Sequence, residues 1–243
     1  MIRNLKILIA AVMALAAFGA LSAAAYAAEE VFHCSVEPCR ATLAPDETAG
    51  TTTAHQVFVV KGKTAGGAEV SASLTCNQLA GEATPFVKTP TEITFTNLRY
   101  LNSAGEQKCK VGASETMEVN FTSCDFRVTS KGGAISMAEL HVVCSTVGDA
   151  IDIIIKGTTC IKITPFTATG LGYHDSEIGG KKKIATGTTN VSVPVAAADL
   201  QNIGHANCAA LGLASITSLA FTTGNTLVKA ETGAGVPAET WFE

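Results

Sequence analysis

The residues of this chain that could do chemistry are, first of all, its eight cysteines and five histidines. The run FHCSVEPCR, residues 32–40, sets two cysteines five positions apart, with a histidine beside the first. A structural zinc site uses close pairs of the C-x2-C type, and a thioredoxin-like redox site uses C-x-x-C. Neither spacing occurs anywhere in the chain. The run therefore predicts a structural disulfide rather than metal or redox chemistry.

The number and position of the cysteines agree with this prediction. All of them follow an N-terminal targeting segment, and an even number of cysteines in an exported chain is typical of a disulfide framework. The candidates for disulfide bonds are Cys34, Cys39, Cys76, Cys109, Cys124, Cys144, Cys160 and Cys208.

Local geometry gives a hypothesis about how these cysteines pair. Two pairs each flank a stretch of about 15 residues that can fold back as a hairpin, and Pro38 fixes a turn inside the first run. The remaining two cysteines would then meet across the fold. The expected bridges are Cys109–Cys124, Cys144–Cys160, Cys34–Cys39 and Cys76–Cys208, with Cys34 or Cys39 bonded to Cys76 as the alternative.

The densest polar cluster is GYHDSEIGG, residues 172–180. Its side chains could bind a cation or a polar ligand on a loop, and the candidate residues are Tyr173, His174, Asp175 and Glu177. The competing interpretation is a glycine-bounded hairpin with an exposed polar tip. Neighbouring residues on a strand point to opposite faces, which hinders a joint role for a histidine and the aspartate after it.

Sequence motifs for enzymes are absent. The chain has no G-x-S-x-G, H-E-x-x-H, P-loop or G-x-G-x-x-G pattern, and no EF-hand loop. A triad that used His174 would need a distant serine, and nothing selects one. The sequence therefore predicts no catalytic residue, no cofactor and no metal site.

The first 27 residues are typical of a signal peptide. Arg3 and Lys6 precede the apolar run ILIAAVMALAAFGAL, and the small-x-small motif Ala25-Tyr26-Ala27 follows it. The apolar run has only 15 residues, whereas a bilayer span needs ~20. We therefore expect cleavage before Ala28, no membrane span afterwards, and a mature protein that is secreted to the extracellular space or the cell envelope.

Charge excludes nucleic acid as a partner. Loss of the two basic residues of the signal peptide reduces Lys plus Arg from 17 to 15, against 21 acidic residues. Phosphate contacts need clustered basic side chains, and the single basic run, residues 181–183, has no aromatic neighbours.

Strand signals dominate the mature chain. In EVSASLTC, residues 69–76, apolar and polar residues alternate, and many similar short runs are separated by turn residues. This pattern predicts an all-β protein, an antiparallel β-sandwich or barrel-like fold held by disulfides. We expect a single domain over residues 28–243, with a possible boundary near 130–134. The sequence also predicts a bulge near Ser123, where the apolar set shifts by one, and a short helix at 196–204.

The runs FHCSVEPCR, AHQVFVV, TCNQL, HVVC and TTGNTLVKAET resemble a loose group of exported bacterial proteins of unknown function. The resemblance covers most of the mature chain and agrees with export and a cysteine framework. It implies no catalytic or binding residue.

These observations predict an exported, disulfide-stabilised binding or structural module at the cell surface or outside the cell. Its expected partner is a protein, a glycan or an envelope component. The rival hypotheses are a secreted hydrolase, with a site around His174, and a protease inhibitor that presents the loop CSVEPC, residues 34–39.

Overall fold

The structure is a computed structural model that describes residues 32–45, 56–85, 87, 90–130, 137–178, 181–186, 189–223, 226–232 and 234–242. Side chains are not described at 45, 115, 137, 174–178, 181–183, 185–186, 189–190, 222–223, 227 and 242. The predicted signal peptide, residues 1–27, lies outside the described residues.

Among the described residues the chain forms twenty β-strands and two short 3-10 helices. The strands are β1 Phe32–Cys34, β2 Arg40–Pro45, β3 Gln56–Lys63, β4 Glu69–Cys76, β5 Gln78–Ala83, β6 Glu92–Leu101, β7 Cys109–Val111, β8 Ser114–Asn120, β9 Cys124–Ser130, β10 Met137–Cys144, β11 Ile151–Ile155, β12 Thr158–Ile163, β13 Phe166–Ile178, β14 Lys181–Thr186, β15 Thr189–Val193, β16 Ala198–Leu200, β17 Ser215–Thr223, β18 Thr226–Glu231, β19 Pro237–Ala238 and β20 Thr240–Phe242. The helices are Val195–Ala197 and Cys208–Leu211.

The strands form two nine-stranded sheets and a two-stranded ribbon. The first sheet has the order β14-β13-β10-β9-β6-β5-β2-β18-β19, and β14 also pairs with β18, which brings this sheet almost to closure. The second sheet has the order β15-β17-β3-β4-β7-β8-β11-β12-β16, and β1 pairs with β20 in the ribbon. All pairings in the described ranges are antiparallel. The prediction of an antiparallel, barrel-like all-β fold is confirmed.

The chain alternates between the two sheets, usually two strands at a time. β3 and β4 belong to the second sheet, β5 and β6 to the first, and β7 and β8 to the second again. Neither sheet is therefore built from one contiguous segment. The possible boundary at 130–134 falls between β9 and β10, which pair with each other, and residues 131–136 lie outside the described part of the chain. The choice between one domain and two stays a prediction.

Aromatic side chains join the two sheets in one core. Phe58 on β3 meets Tyr100 on β6 with a centroid distance of 5.1 Å, and Phe221 on β17 stacks on Phe126 of β9 at 6.4 Å. Burial raises the pKa of the Tyr100 hydroxyl far above its usual range. Burial alternates along the strands as predicted, so that Leu74 and the other inward-facing residues of β4 line this core while their neighbours face outward.

Three local predictions need correction. The alternation in NVSVPV, residues 190–195, predicts that Val191, Val193 and Val195 face the core together, but Val195 is 46% exposed because Pro194 follows β15 and a 3-10 turn begins there. The helix predicted at 196–204 is reduced to that single turn, followed by β16. At Ser123 the apolar set shifts because the chain passes from β8 in the second sheet to β9 in the first, and not because of a bulge.

All eight cysteines form disulfides, as predicted, but the predicted pairing is wrong for three of the four bonds. The observed bonds are Cys34–Cys39, Cys76–Cys109, Cys124–Cys144 and Cys160–Cys208. The expected hairpin bridges Cys109–Cys124 and Cys144–Cys160 would each join strands of different sheets. The chain changes sheet between the two cysteines of each expected pair. Each cysteine therefore bonds to a cysteine on a neighbouring strand of its own sheet, or on the short helix beside that sheet.

The predicted Cys76–Cys208 bridge fails for a different reason: β4 and β12 lie in the same sheet, but β7, β8 and β11 separate them. Cys76 ends β4, which pairs with β7, and the Cα of Cys109 on β7 lies 4.6 Å away. Cys208 begins a 3-10 helix beside β12, where Cys160 lies at a Cα distance of 5.3 Å.

The run FHCSVEPCR, residues 32–40, joins the first and last strands of the described chain. His33 on β1 stacks on Trp241 of β20 at 5.1 Å, and the Cys34–Cys39 bond closes the loop that follows. The N–H of Ser35 donates to the carbonyl of Glu239 at 3.0 Å, and the N–H of Glu239 donates to the Ser35 hydroxyl at 2.9 Å. The cysteines of this run are therefore a structural element, as predicted.

Candidate functional site

The candidate site is an open groove of about 650 Å³ on the first sheet, where β5, β6 and the entry to β9 meet. We call it the polar groove. It is lined by Glu82, Thr96, Asn97, Leu98, Arg99, Gln107, Asn120, Phe121, Thr122, Ser123, Cys124 and Asp125.

One wall of the polar groove is a β-bulge. Ala80 pairs with Arg99 and Glu82 with Thr96, so that Gly81 faces two residues of β6. Asn97, one of those two, has a φ of 52°, a left-handed conformation that asparagine tolerates better than most residues. A Cβ on Gly81 would lie 2.8 Å from Leu98 Cδ2 and 3.2 Å from the Thr96 carbonyl oxygen. Glycine thus permits the bulge, and the bulge redirects the exposed side chains of β6.

A second part of the polar groove is the turn that carries the chain from β8 to β9. Ser123 in this turn has a φ of 60°, and its hydroxyl donates to the Asp149 carboxylate. The N–H of Ser145 donates to the Ser123 carbonyl at 2.9 Å. The Cys124–Cys144 bond follows immediately and ties β9 to β10. These contacts hold the turn in a conformation that costs free energy in an isolated chain.

Left-handed backbone is concentrated at this groove. The described part of the chain has four non-glycine residues with positive φ: Asn97, Ser123, Lys156 and Asn202. Two of the four, Asn97 and Ser123, line the polar groove. Such conformations persist where the surrounding structure enforces them, and they cluster at binding and active sites.

Hydrogen bonds orient two amide side chains of the groove. Gln107 Nε2 donates to the carbonyl of Val119 at 3.2 Å. Asn120 Oδ1 accepts from both the N–H and the hydroxyl of Thr122, at 3.0 Å and 2.7 Å. The oxygen of Gln107 and the nitrogen of Asn120 are the amide atoms that these bonds leave for other partners.

Three charged residues line the groove on neighbouring strands. Glu82 lies on β5, Arg99 on β6 and Asp125 on β9. Adjacent strands are ~4.8 Å apart, so the backbones of the two acidic residues are separated by roughly 10 Å. Burial raises the pKa of the Asp125 carboxyl. The two carboxylates therefore flank the groove, and one of them is partly shielded from water.

The floor of the groove is apolar. Leu98 and Phe121 are 4% and 6% exposed, and both belong to the core. Phe121 packs edge-on against Phe126 at 5.3 Å. The groove thus has polar side chains around it and lies over packed core side chains that expose little apolar surface to a ligand.

The residues predicted as a ligand loop lie elsewhere. Tyr173, His174, Asp175 and Glu177 all belong to β13, which forms a hairpin with β14. The Tyr173 side chain is buried and meets Phe32 at 6.3 Å, inside the barrel-like sheet. The side chains of the other three lie outside the described atoms, so ligand binding there stays a prediction.

The histidines of the described residues do not line the polar groove. His141 lies on β10, with its Nδ1 2.9 Å from the Thr167 hydroxyl, and His33 stacks on Trp241. In the parts of the chain that the structure describes, no group of three or more His, Cys, Asp or Glu could hold a metal ion.

None of the residues of this groove was predicted from the sequence as a ligand contact. The sequence does contain two signals of the local backbone geometry. The apolar set of EITFTNLRY shifts after Phe95, which indicates the bulge at Asn97, and a similar shift at Ser123 marks the turn. Neither signal shows that the two positions lie side by side, because that depends on which strands pair.

No protein-family model, curated protein or solved structure matches this chain. Within the described ranges, no helix has the length and apolar character to cross a membrane. The resemblance to exported bacterial proteins stays a prediction.

Proposed function

We propose that this protein is an exported binding module that holds its ligand in the polar groove. The observation that carries the proposal is the convergence of Asn97 and Ser123, both left-handed, on one groove with a polar rim. Their backbone strain is held by the Gly81 bulge on one side and by the Cys124–Cys144 bond on the other. A rigid groove binds well because little conformational freedom is lost when a ligand enters.

The four disulfides support function outside the cytoplasm, where such bonds form and persist. N-terminal sequencing of secreted protein tests the export step. The expected sequence begins Ala28-Glu29-Glu30. Cytoplasmic protein that keeps Met1 would contradict the proposal.

Binding is tested with labelled mature protein and isolated cell envelope from the producing organism. Thr96→Trp fills the groove and should abolish saturable binding. Thr75→Trp is the matched control, because Thr75 is a half-buried threonine on the outer face of β4, in the other sheet. Equal binding by both variants would show that the groove is not the site.

A hydrolase is the second candidate, because Glu82 and Asp125 flank one groove and burial raises the pKa of Asp125. A raised pKa suits a general acid, and the second carboxylate would act as the base. The hydrolase would be favoured over the module if Glu82→Gln and Asp125→Asn each abolished product release while binding was retained.

A further inference from the structure

We propose that the ligand of the polar groove is a neutral carbohydrate chain, an inference that rests on the proposed function above. The hydrogen-bonding groups of the groove, its charge and its shape support this inference.

The hydrogen-bonding groups match sugar hydroxyls. Each hydroxyl both donates and accepts, so a site for several of them needs donors and acceptors in alternation. The groove presents the amides of Asn97, Gln107 and Asn120 together with the hydroxyl of Thr122. The contacts to Val119 and Thr122 fix two of these amides, so that Gln107 offers an acceptor and Asn120 a donor.

The charged groups select against anionic polymers. Glu82 and Asp125 outnumber Arg99 in the groove, and the whole chain has a net charge of −4. Carboxylates accept from neighbouring hydroxyls, and a planar guanidinium donates two parallel hydrogen bonds. A neutral ligand can hydrogen-bond to the carboxylates and to the guanidinium without charge repulsion, whereas two carboxylates would repel an acidic polysaccharide or a nucleic acid.

The shape and the lining also favour a carbohydrate over a protein. A volume of about 650 Å³ lies in the ~300–1,000 Å³ range of small-molecule sites, and the groove is open, so a chain can continue beyond it. Protein interfaces commonly centre on exposed aromatic anchors. Among the described residues that line this groove, Phe121 is the only aromatic one, and it is 6% exposed.

The decisive experiment treats the isolated envelope before binding. Periodate cleaves vicinal diols of sugars, and protease removes proteins. Mature protein should bind protease-treated envelope as well as untreated envelope and should lose most of its binding after periodate. Full binding after periodate, together with loss after protease, would overturn the carbohydrate inference and indicate a protein partner. If Thr96→Trp still abolished binding in that case, the proposed function would stand.

Titration with soluble polysaccharides then tests the ligand class. Dextran, mannan and galactan are the neutral probes, and alginate and hyaluronate are the acidic ones. We expect saturable binding to at least one neutral probe, weakened about tenfold or more by Asp125→Asn or Arg99→Gln. Glu69→Gln, an exposed carboxylate on β4 outside the groove, is the matched control and should not change the affinity. Tighter binding of the acidic probes, or no binding of any neutral probe, would overturn the inference.

Discussion

The hydroxyl of Thr240 accepts a hydrogen bond from the backbone N–H of Ile184 at a distance of 3.3 Å. The same hydroxyl donates to the carbonyl of Val228 at 3.3 Å. Ile184 and Val228 are register partners on β14 and β18, the pair of strands that brings the barrel-like sheet almost to closure. A side chain of β20 thus supplements a short backbone ladder, since two residue pairs join these strands within the described ranges.

Replacing Thr240 should weaken this closure. Thr240 is 1% exposed, so Thr240→Val leaves a buried N–H and a buried carbonyl each short of one partner. We expect a loss of about 1–3 kcal/mol in the free energy of unfolding, measured by urea denaturation. Thr240→Ser keeps the hydroxyl and should lose less of the free energy of unfolding. Equal stability of the two variants would mean that the hydroxyl does not contribute.

Gly62 should not tolerate a side chain. It is buried on β3, and an added Cβ would overlap the carbonyl oxygen of Ser215 on β17. Gly62→Ala should therefore cost about 1–3 kcal/mol, since a well-packed site must shift to admit a methyl group. Gly66→Ala is the matched control, because its Cβ would meet only Thr64 Oγ1 at 3.8 Å. Thermal denaturation of both variants compares them, and an unchanged melting temperature for Gly62→Ala would contradict the packing of β3 on β17.

The four disulfides should differ in their contribution to stability. Cys160–Cys208 closes 48 residues and Cys34–Cys39 closes five. In the chain-entropy treatment these loops are worth about 4 and about 2 kcal/mol respectively. Replacing each pair by alanine and measuring urea denaturation should reproduce that order.

Peptide mapping of the non-reduced protein checks the pairing itself. The expected cross-linked peptides join Cys76 to Cys109 and Cys124 to Cys144. A Cys109–Cys124 peptide would contradict the assignment of these residues to different sheets.

Asp125 should make stability depend on pH. Because burial raises its pKa, the folded state binds more protons than the unfolded state over the range between the two pKa values. Stability therefore falls as the pH rises through that range. Asp125→Asn should raise the free energy of unfolding at neutral pH by less than about 1 kcal/mol, because solvent reaches much of the side chain. The gain should vanish at a pH where the carboxyl is protonated in both states. A gain in the free energy of unfolding that persisted at that pH would contradict this explanation.

The fold class and the buried faces of the strands could be predicted from the sequence. In β4 the alternation of EVSASLTC places Leu74 and Cys76 in the core, and in β11 the run IDIII does the same for its three odd-numbered isoleucines. These outcomes follow from a two-residue period that each strand carries within itself. The spacing of the cysteines likewise indicated disulfides rather than metal ligation, because zinc and redox sites need short motifs that this chain lacks.

The pairing of the strands could not be predicted in this way, and the disulfide partners and the polar groove depend on that pairing. Cys109 and Cys124 are near in sequence but lie in different sheets, whereas Cys160 and Cys208 are 48 residues apart and bonded. The bulge at Asn97 and the turn at Ser123 come together in the same way. The period of a strand's sequence predicts the face on which each side chain lies. Which strands are neighbours depends on the order of all the strands in the two sheets, and that order is a long-range property that the local period does not contain.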